Sequence, residues 1–365
     1  MSIYPIIGRQ PESEVVLRIL ERGHNLILTG PYYRGKTALA IHLIEELINK
    51  KYNPVYFNCQ NGFSEQAFLE LYSKQILKTM SFKLKNIFED SNKYLPNIRP
   101  KINMNPIHGV DIRIDYNITN KDIQQYLTEV IDVPYKIQQD TKEKMVIILD
   151  EYHAVNELKS VNLTEVILKN LKPGVSYIFI SSHPKELDSL IPRKNYEKLL
   201  IDENLSLQKV PANIIYFSID NMLKDNNIKA TTNIIDKLIS MTDGEISFIN
   251  RILRKLISKG KIFKRISLLD ISNSIREIVN GYDDIFYNFF DSLSTHQKNL
   301  IIAIARQGGQ QIFKGEFIYQ NGLVSVPSVQ TSIQALIKKN FVHKEDDEYK
   351  ITHYFFKEWL KQNFL

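Results

Sequence analysis

Over the first half of the chain, short unbroken apolar runs alternate with stretches whose apolar residues recur at helical spacing. The run NLILT, residues 25–29, predicts a buried strand, and KTALAIHLIEELINKKY from Lys36 carries Leu39, Leu43 and Leu47 at helical spacing. NPVYFNC predicts a second buried strand, SEQAFLELYSKQILKTM a helix, EKMVIILDE a third strand and VSYIFISS a fourth. Strands alternating with helices imply an α/β fold, a mostly parallel sheet with helices on both faces. Between the second helix and the third strand lies an excursion at about 81–118, rich in Asn, Lys and Pro; its alternating end, VDIRIDYNI, predicts an edge strand or hairpin. From about Ala230 the pattern turns helical, and after about Ser292 it changes again, so the expected division is 1–218, 219–291 and 292–365. There is no internal repeat and no low-complexity linker.

Composition narrows the class. A chain of 365 residues has room for two or three cores. Its longest apolar runs fall far short of a bilayer span and its N-terminus lacks a basic segment followed by a hydrophobic one, so no membrane is expected and the cytoplasm is the expected place. The single cysteine, Cys59, excludes an internal disulfide framework and a thiolate zinc cluster, and reads as a small buried hydrophobe. The net charge of +6 is spread along the chain, which permits a nucleic-acid partner without implying one.

The chemistry concentrates between the first strand and its helix. GPYYRGKT, residues 30–37, sets Gly30 and Gly35 on either side of Pro31, Tyr32, Tyr33 and Arg34, then Lys36 and Thr37, with Ala38 entering the helix. Glycines let successive backbone N–H groups converge on phosphate oxygens, and the helix adds its positive end. Lys36 would reach the β- and γ-phosphates and Thr37 would give its hydroxyl to Mg²⁺. A tight turn with a solvated lysine has the same residues, but the position between a buried strand and an amphipathic helix favours the phosphate loop. In MVIILDEYHAV, Asp150 ends a fully apolar strand and is expected to face Mg²⁺ through water, with Glu151 polarising the attacking water; a helix N-cap is the alternative. After SYIFISSH, one of Ser181, Ser182 and His183 is expected beside the γ-phosphate, the choice among them staying open; Ser182 is carried with Glu151 and Lys36 as the catalytic set.

IIGRQPESEVVLRIL, LTGPYYRGKTALA, VIILDEYHAV and YIFISSH together resemble the archaeal-type ATPase family of the AAA+/STAND class of P-loop NTPases. The resemblance covers nearly the whole chain and implies an ASCE-type core, a helical lid and a C-terminal winged helix. Gly8, Arg9 and Glu12 match the family's Gly-Arg-x-x-Glu segment, which implies a place near the adenine. MTDGEISFINRIL stands where the lid is expected, with Gly244, Glu245 and Ile246 in place of the family's Gly-x-Pro. Arg251 would then be a γ-phosphate sensor, with Arg254 beside it; two solvated arginines are the alternative. Arg193 reads either as an arginine finger for a second copy, which allows self-association, or as a surface residue.

The last segment resembles a winged helix: three helices, a hairpin and a final helix. On the third helix Val329, Ile333, Leu336 and Ile337 form an apolar stripe, leaving Ser328, Gln330, Thr331 and Gln334 outward. Its cations, Lys338 and Lys339, lie at the far end, and the wing is acidic at EDDE, so a protein contact is favoured over DNA. His353 stands where the family usually has Asp-Pro; it resembles the winged-helix histidine of STAND switches that touches the β-phosphate of ADP, and otherwise reads as a cap of the last helix against Tyr354 or Trp359. The expectation is an ATP-binding and hydrolysing switch using ATP/ADP and Mg²⁺ and regulating a protein partner. A DNA-associated AAA+ ATPase resembling replication initiators, or a nucleotide-binding scaffold with negligible turnover, are the alternatives.

Overall fold

The computed structural model describes residues 6–62, 64–81, 93–96, 101–105, 109–113, 123–159, 161–259 and 265–365. The chain divides into two compact units, Met1–Lys209 and Val210–Leu365.

In the first unit the helix Gln10–Glu21 precedes β1 (Asn25–Thr29), and the helix Lys36–Asn49 leads to β2 (Asn53–Asn58). After the helix Glu65–Ser81 come β3 (Lys101–Asn105) and β4 (Gly109–Arg113), paired as an antiparallel hairpin. The helix Ile123–Thr141 then leads to β5 (Met145–Asp150), the helix Leu163–Lys169 to β6 (Val175–Ser181), and the helix Pro184–Leu190 to β7 (Ile201–Ser206). The sheet runs β2–β5–β6–β1–β7, parallel throughout. The expected hairpin is present in the excursion, whose remainder lies outside the described residues.

Alternation along the strands builds a core on each face of the sheet. Ile147 and Leu149 of β5 and Tyr177 and Phe179 of β6 pack with Phe68, Tyr72 and Leu127 on one face. Val146, Ile148, Ile178 and Ile180 pack with Leu39, Leu43, Val16 and Leu20 on the other. Every residue of β5 and β6 is therefore buried. Register sets Asn58 of β2 beside Asp150 and Thr29 of β1 beside Ser181, so the strands deliver their polar last residues to one edge. β7 was not expected: its sequence IDENLS is polar because, as the edge strand beside β1, it is mostly exposed.

The second unit carries the helices Ala212–Asp225, Thr232–Met241, Ile246–Lys259, Leu268–Asn280 and Asp283–Asp291, then Thr295–Gln307, Gly315–Gln320 and Val326–Lys338. A hairpin of β8 (Val342–Glu345) and β9 (Glu348–Ile351) precedes the last helix, Tyr354–Phe364. Residue 218, the expected end of the first domain, lies inside the helix Ala212–Asp225, and the first compact unit ends at Lys209. Ser267 and Ser294 each close a capping box at a helix start. An aromatic core joins Phe286 to Phe356 and Trp359, the latter two stacked at 5.7 Å, and the Trp359 indole N–H donates to Asp283 at 2.7 Å. On the third winged-helix helix, Val329, Ile333 and Leu336 are buried as expected, but Ile337 is 38% exposed and Ser332 is buried instead. The buried arc is turned by roughly 35° from the arc that apolarity alone marks.

Candidate nucleotide site

The site begins where β1 stops. Gly30 takes φ +149°, and a Cβ there would meet the Leu207 carbonyl oxygen at 2.9 Å, so this residue must be glycine. Tyr33 at φ 66° and Gly35 at φ 89° turn the chain into the helix Lys36–Asn49, which starts without a side-chain cap and leaves its first-turn N–H groups to the loop. Lys36 is only 4% exposed, and its Nζ donates to the carbonyls of Gly30 and Pro31, both at 2.8 Å, drawing the loop around the ammonium. Thr37 is exposed and Ala38 half-buried on the same turn.

Arg9 joins the segment before β1 to this loop. Its guanidinium is buried, pairs with Glu12, and donates through Nη2 to the carbonyls of Arg34 at 2.9 Å and Gln208 at 2.6 Å. Gly8, half-buried at φ 62°, lets the chain enter this arrangement.

Across the strand ends, Asp150 Oδ2 accepts from Thr37 Oγ1 at 2.8 Å and from the Tyr56 hydroxyl at 2.7 Å, while Oδ1 accepts from the Glu151 N–H at 2.9 Å. Burial raises the Asp150 carboxyl above its usual range, opposed by the Tyr56 and Thr37 hydrogen bonds. Glu151 sits in the left-handed region at φ 51°, a strained place for a side chain with a Cβ, and its carbonyl is fixed by the Ala154 N–H at 2.9 Å. Its carboxylate accepts from Ser182 twice, from Oγ at 2.6 Å and from the backbone N–H at 3.2 Å.

Two histidines complete the cluster. His153 Nδ1 lies 3.1 Å from Ser181 Oγ and 3.3 Å from Glu151 Oε2, and its ring is 4.2 Å from that of His183. Burial, reinforced by His183 and opposed by Glu151 and Glu186, holds His153 below the usual imidazole range. His183 Nδ1 is 3.5 Å from the Tyr32 hydroxyl, which burial and the nearby Glu151 and Glu186 push up to about 12. The three residues left open after β6 thus separate: Ser182 holds Glu151, Ser181 joins His153 to the His183 backbone, and His183 meets Tyr32.

Lys36, Thr37, Asp150, Glu151 and Ser182 come together around the end of β5. Tyr56 and His153 were not singled out from the sequence, although Tyr56 faces the strand end and His153 follows the acidic pair. Arg251 and His353 belong to the second unit. The Arg251 guanidinium lies 4.6 Å over the Tyr282 ring. His353 caps the last helix, its Nδ1 accepting from the Phe356 N–H at 3.2 Å, with its ring edge-on to Phe248 and Phe286, neighbours that earlier helices supply. Cys59 is buried and burial pushes its thiol up, as expected of a small core hydrophobe.

The fold and loop define the class: a P-loop ATPase fold followed by a winged helix. Residues 284–362 match the family described as "Probable winged helix domain". The Walker-type ATPase PABY2304 of Pyrococcus abyssi superposes with TM-score 0.60 at 14% identity, covering 98% of this chain and 96% of that one. The ORC1 protein of Aeropyrum pernix, solved in complex with DNA, gives 0.56 at 14%, covering 98% and 93%; the ORC2 protein of the same organism, solved as ADPNP-ADP complexes, gives 0.55 at 14%, covering 98% and 94%. At such identity the likeness is one of fold, and it is the fold that the archaeal-type ATPase resemblance implied. No curated protein sequence matches the chain. No described helix is long and apolar enough to cross a membrane.

Proposed function

We propose that the chain is an Mg²⁺-dependent ATP-binding and hydrolysing switch of the AAA+/STAND type, acting on a protein partner through its winged helix. The observation that carries this reading is the Thr37–Asp150 hydrogen bond of 2.8 Å, which joins the loop to the acidic strand end beside Glu151. The residues present fit Mg·ATP: a loop drawn around a buried ammonium, a helix start without a side-chain cap, and a hydroxyl and a carboxylate as hard oxygen ligands. Bound there, Mg·ATP would supply a phosphoryl group whose charge the metal neutralises.

The chain's own groups then divide the work. Gly30 to Ala38 would wrap the phosphates, Lys36 would set its charge against them, and Thr37 and Asp150 would hold the metal. Glu151 would take the proton of the attacking water on its carboxylate, whose direction Ser182 fixes through Oγ–H and N–H. Gly8 and Arg9 would lie toward the adenine, with Arg9 tying that segment to the loop. Arg251 would sense the γ-phosphate and His353 the β-phosphate of ADP. The expected division into core, lid and winged helix remains part of this proposal.

A protein partner suits the winged helix because the cations of its wing, with Lys339, are engaged locally. Lys350 pairs with Glu345 at 2.7 Å and Asp243 at 3.2 Å, Lys344 lies 3.9 Å from Asp347, and Lys339 donates to the Ser292 carbonyl at 3.1 Å. The second reading, a DNA-associated ATPase, draws on the exposed Gln330, Thr331 and Gln334 and on the DNA complex of the Aeropyrum ORC1 relative. Steady-state phosphate release from ATP by the purified chain tests the main reading. Turnover is expected to require Mg²⁺, and ATP binding with no turnover would leave the nucleotide-binding scaffold.

A further inference from the structure

We propose that Glu151, His153 and His183, at the carboxyl ends of β5 and β6, form a binding site for a divalent transition metal of the zinc type. One carboxylate oxygen of Glu151 and one ring nitrogen of each histidine all lie within 4.8 Å of one another. Among the described residues this is the group of His, Cys, Asp and Glu side chains that meets that spacing. A tetrahedral zinc site with bonds near 2.1 Å needs ligand atoms roughly 3.4 Å apart. One edge is already there, His153 Nδ1 to Glu151 Oε2 at 3.3 Å.

The ligand chemistry selects the metal. Two imidazoles and a carboxylate suit Zn²⁺ or Co²⁺, whereas Mg²⁺ takes hard oxygens and keeps its waters, so this site does not duplicate the one that Thr37 and Asp150 would make. Glu151 and His153 are buried and His183 is half-buried, which leaves one side open for water or an anion as a fourth ligand. Glu151 is also oriented from behind, as metal ligands commonly are: Ser182 Oγ donates to its Oε1 at 2.6 Å, while Oε2 faces His153. A metal on His153 Nδ1 would displace the Ser181 Oγ contact of 3.1 Å. A metal bound here would occupy the Glu151 carboxylate and so act as a brake on hydrolysis. That consequence rests on the catalytic role proposed for Glu151; the site itself does not.

The test therefore reads metal alone. The full chain, free of nucleotide, is titrated with cobalt chloride, with zinc sulfate as competitor. One equivalent of Co²⁺ is expected to give the strong visible absorption of a four-coordinate ion and to be displaced by Zn²⁺. His153→Gln and His183→Gln should each weaken binding by at least about tenfold. Because His153 is buried, protection on the unsubstituted chain provides a second measurement: Zn²⁺ should slow the reaction of His183 with diethylpyrocarbonate. No four-coordinate band, equal affinity in folded variants, or no protection of His183 would overturn the site and assign any binding to the chain's other histidines. Failure would leave the ATPase reading standing, and absence of turnover with Mg²⁺ and ATP in the chain free of transition metal would overturn that reading while leaving the site.

Discussion

The end of β5 and the third helix of the winged helix are both rich in polar side chains, yet they carry very different amounts of information. At the strand end, Asp150 and Glu151 are 1% and 9% exposed, and each is held by groups from other elements. On the helix, Gln330, Thr331 and Gln334 face solvent, and Thr331 spends its hydroxyl on the Pro327 carbonyl of its own helix at 3.1 Å. Burying a carboxylate costs several kcal/mol unless its partners compensate, so a buried acidic pair ending an apolar strand needs a reason beyond the fold. An exposed amide costs almost nothing and needs none. Function is therefore argued from the first region with force and from the second only by what surrounds it.

Glu151→Gln attacks the buried side of that contrast and should have the largest effect. Shape and the Ser182 contacts can persist while the proton acceptor is lost, so ATP should remain bound while turnover falls at least about a hundredfold. Normal phosphate release by this variant would move the base elsewhere. Lys36→Ala comes next. Losing a charged hydrogen-bond donor should weaken ATP binding by about tenfold to a hundredfold, read calorimetrically on folded protein. Unchanged affinity would reject the phosphate loop.

His353 brings burial and polarity together in the second unit, and it offers a smaller, titratable effect. Burial, with Arg251 nearby, holds its imidazole down at about 4. The unfolded chain, with an ordinary value near 6.5, binds more protons between those limits, so stability is full above that window and is lost as pH falls through it. The loss should be about 1.5 kcal/mol between about pH 6.5 and about pH 5. His353→Asn keeps a helix cap but removes the titration. Its stability curve should lack that acid slope, whatever it loses at neutral pH from the contacts with Phe248 and Phe286. The same slope in parent and variant would assign the acid sensitivity to other groups.

What the sequence made legible follows the same division. Residues 30–37 and the strand ending in Asp150 were readable because apolar runs on both sides mark where polar groups break a buried pattern. β7 was not readable, since an exposed edge strand such as IDENLS has no apolar run to announce it. Arg9 was placed by resemblance, but its grip on the Arg34 and Gln208 carbonyls depends on residues far apart in the chain. The pairing of His153 with His183 likewise needs β5 and β6 to be neighbours in the sheet, which no local pattern encodes. On the third winged-helix helix, apolarity marked Ile337 as inward when Ser332 takes that place, because a small hydroxyl fits a close helix approach as well as a methyl does.

The smallest expected effect tests the exposed side. Lys338 and Lys339 end the third helix, and a DNA-reading role would make them the phosphate contacts nearest to its polar face. Each phosphate contact adds close to one unit to the slope of log affinity against log salt, so losing two should be plain in retention on duplex DNA across a salt series. In the protein-contact reading, Lys338→Ala with Lys339→Ala should change retention by less than about twofold at any salt, because neither lysine then contacts a phosphate. The wing offers no compensating cations, since Lys344 and Lys350 stand beside Asp347, Glu345 and Asp243. A steep fall in affinity together with a flatter salt slope would transfer the winged helix from a protein partner to DNA, and would make its exposed glutamines informative after all.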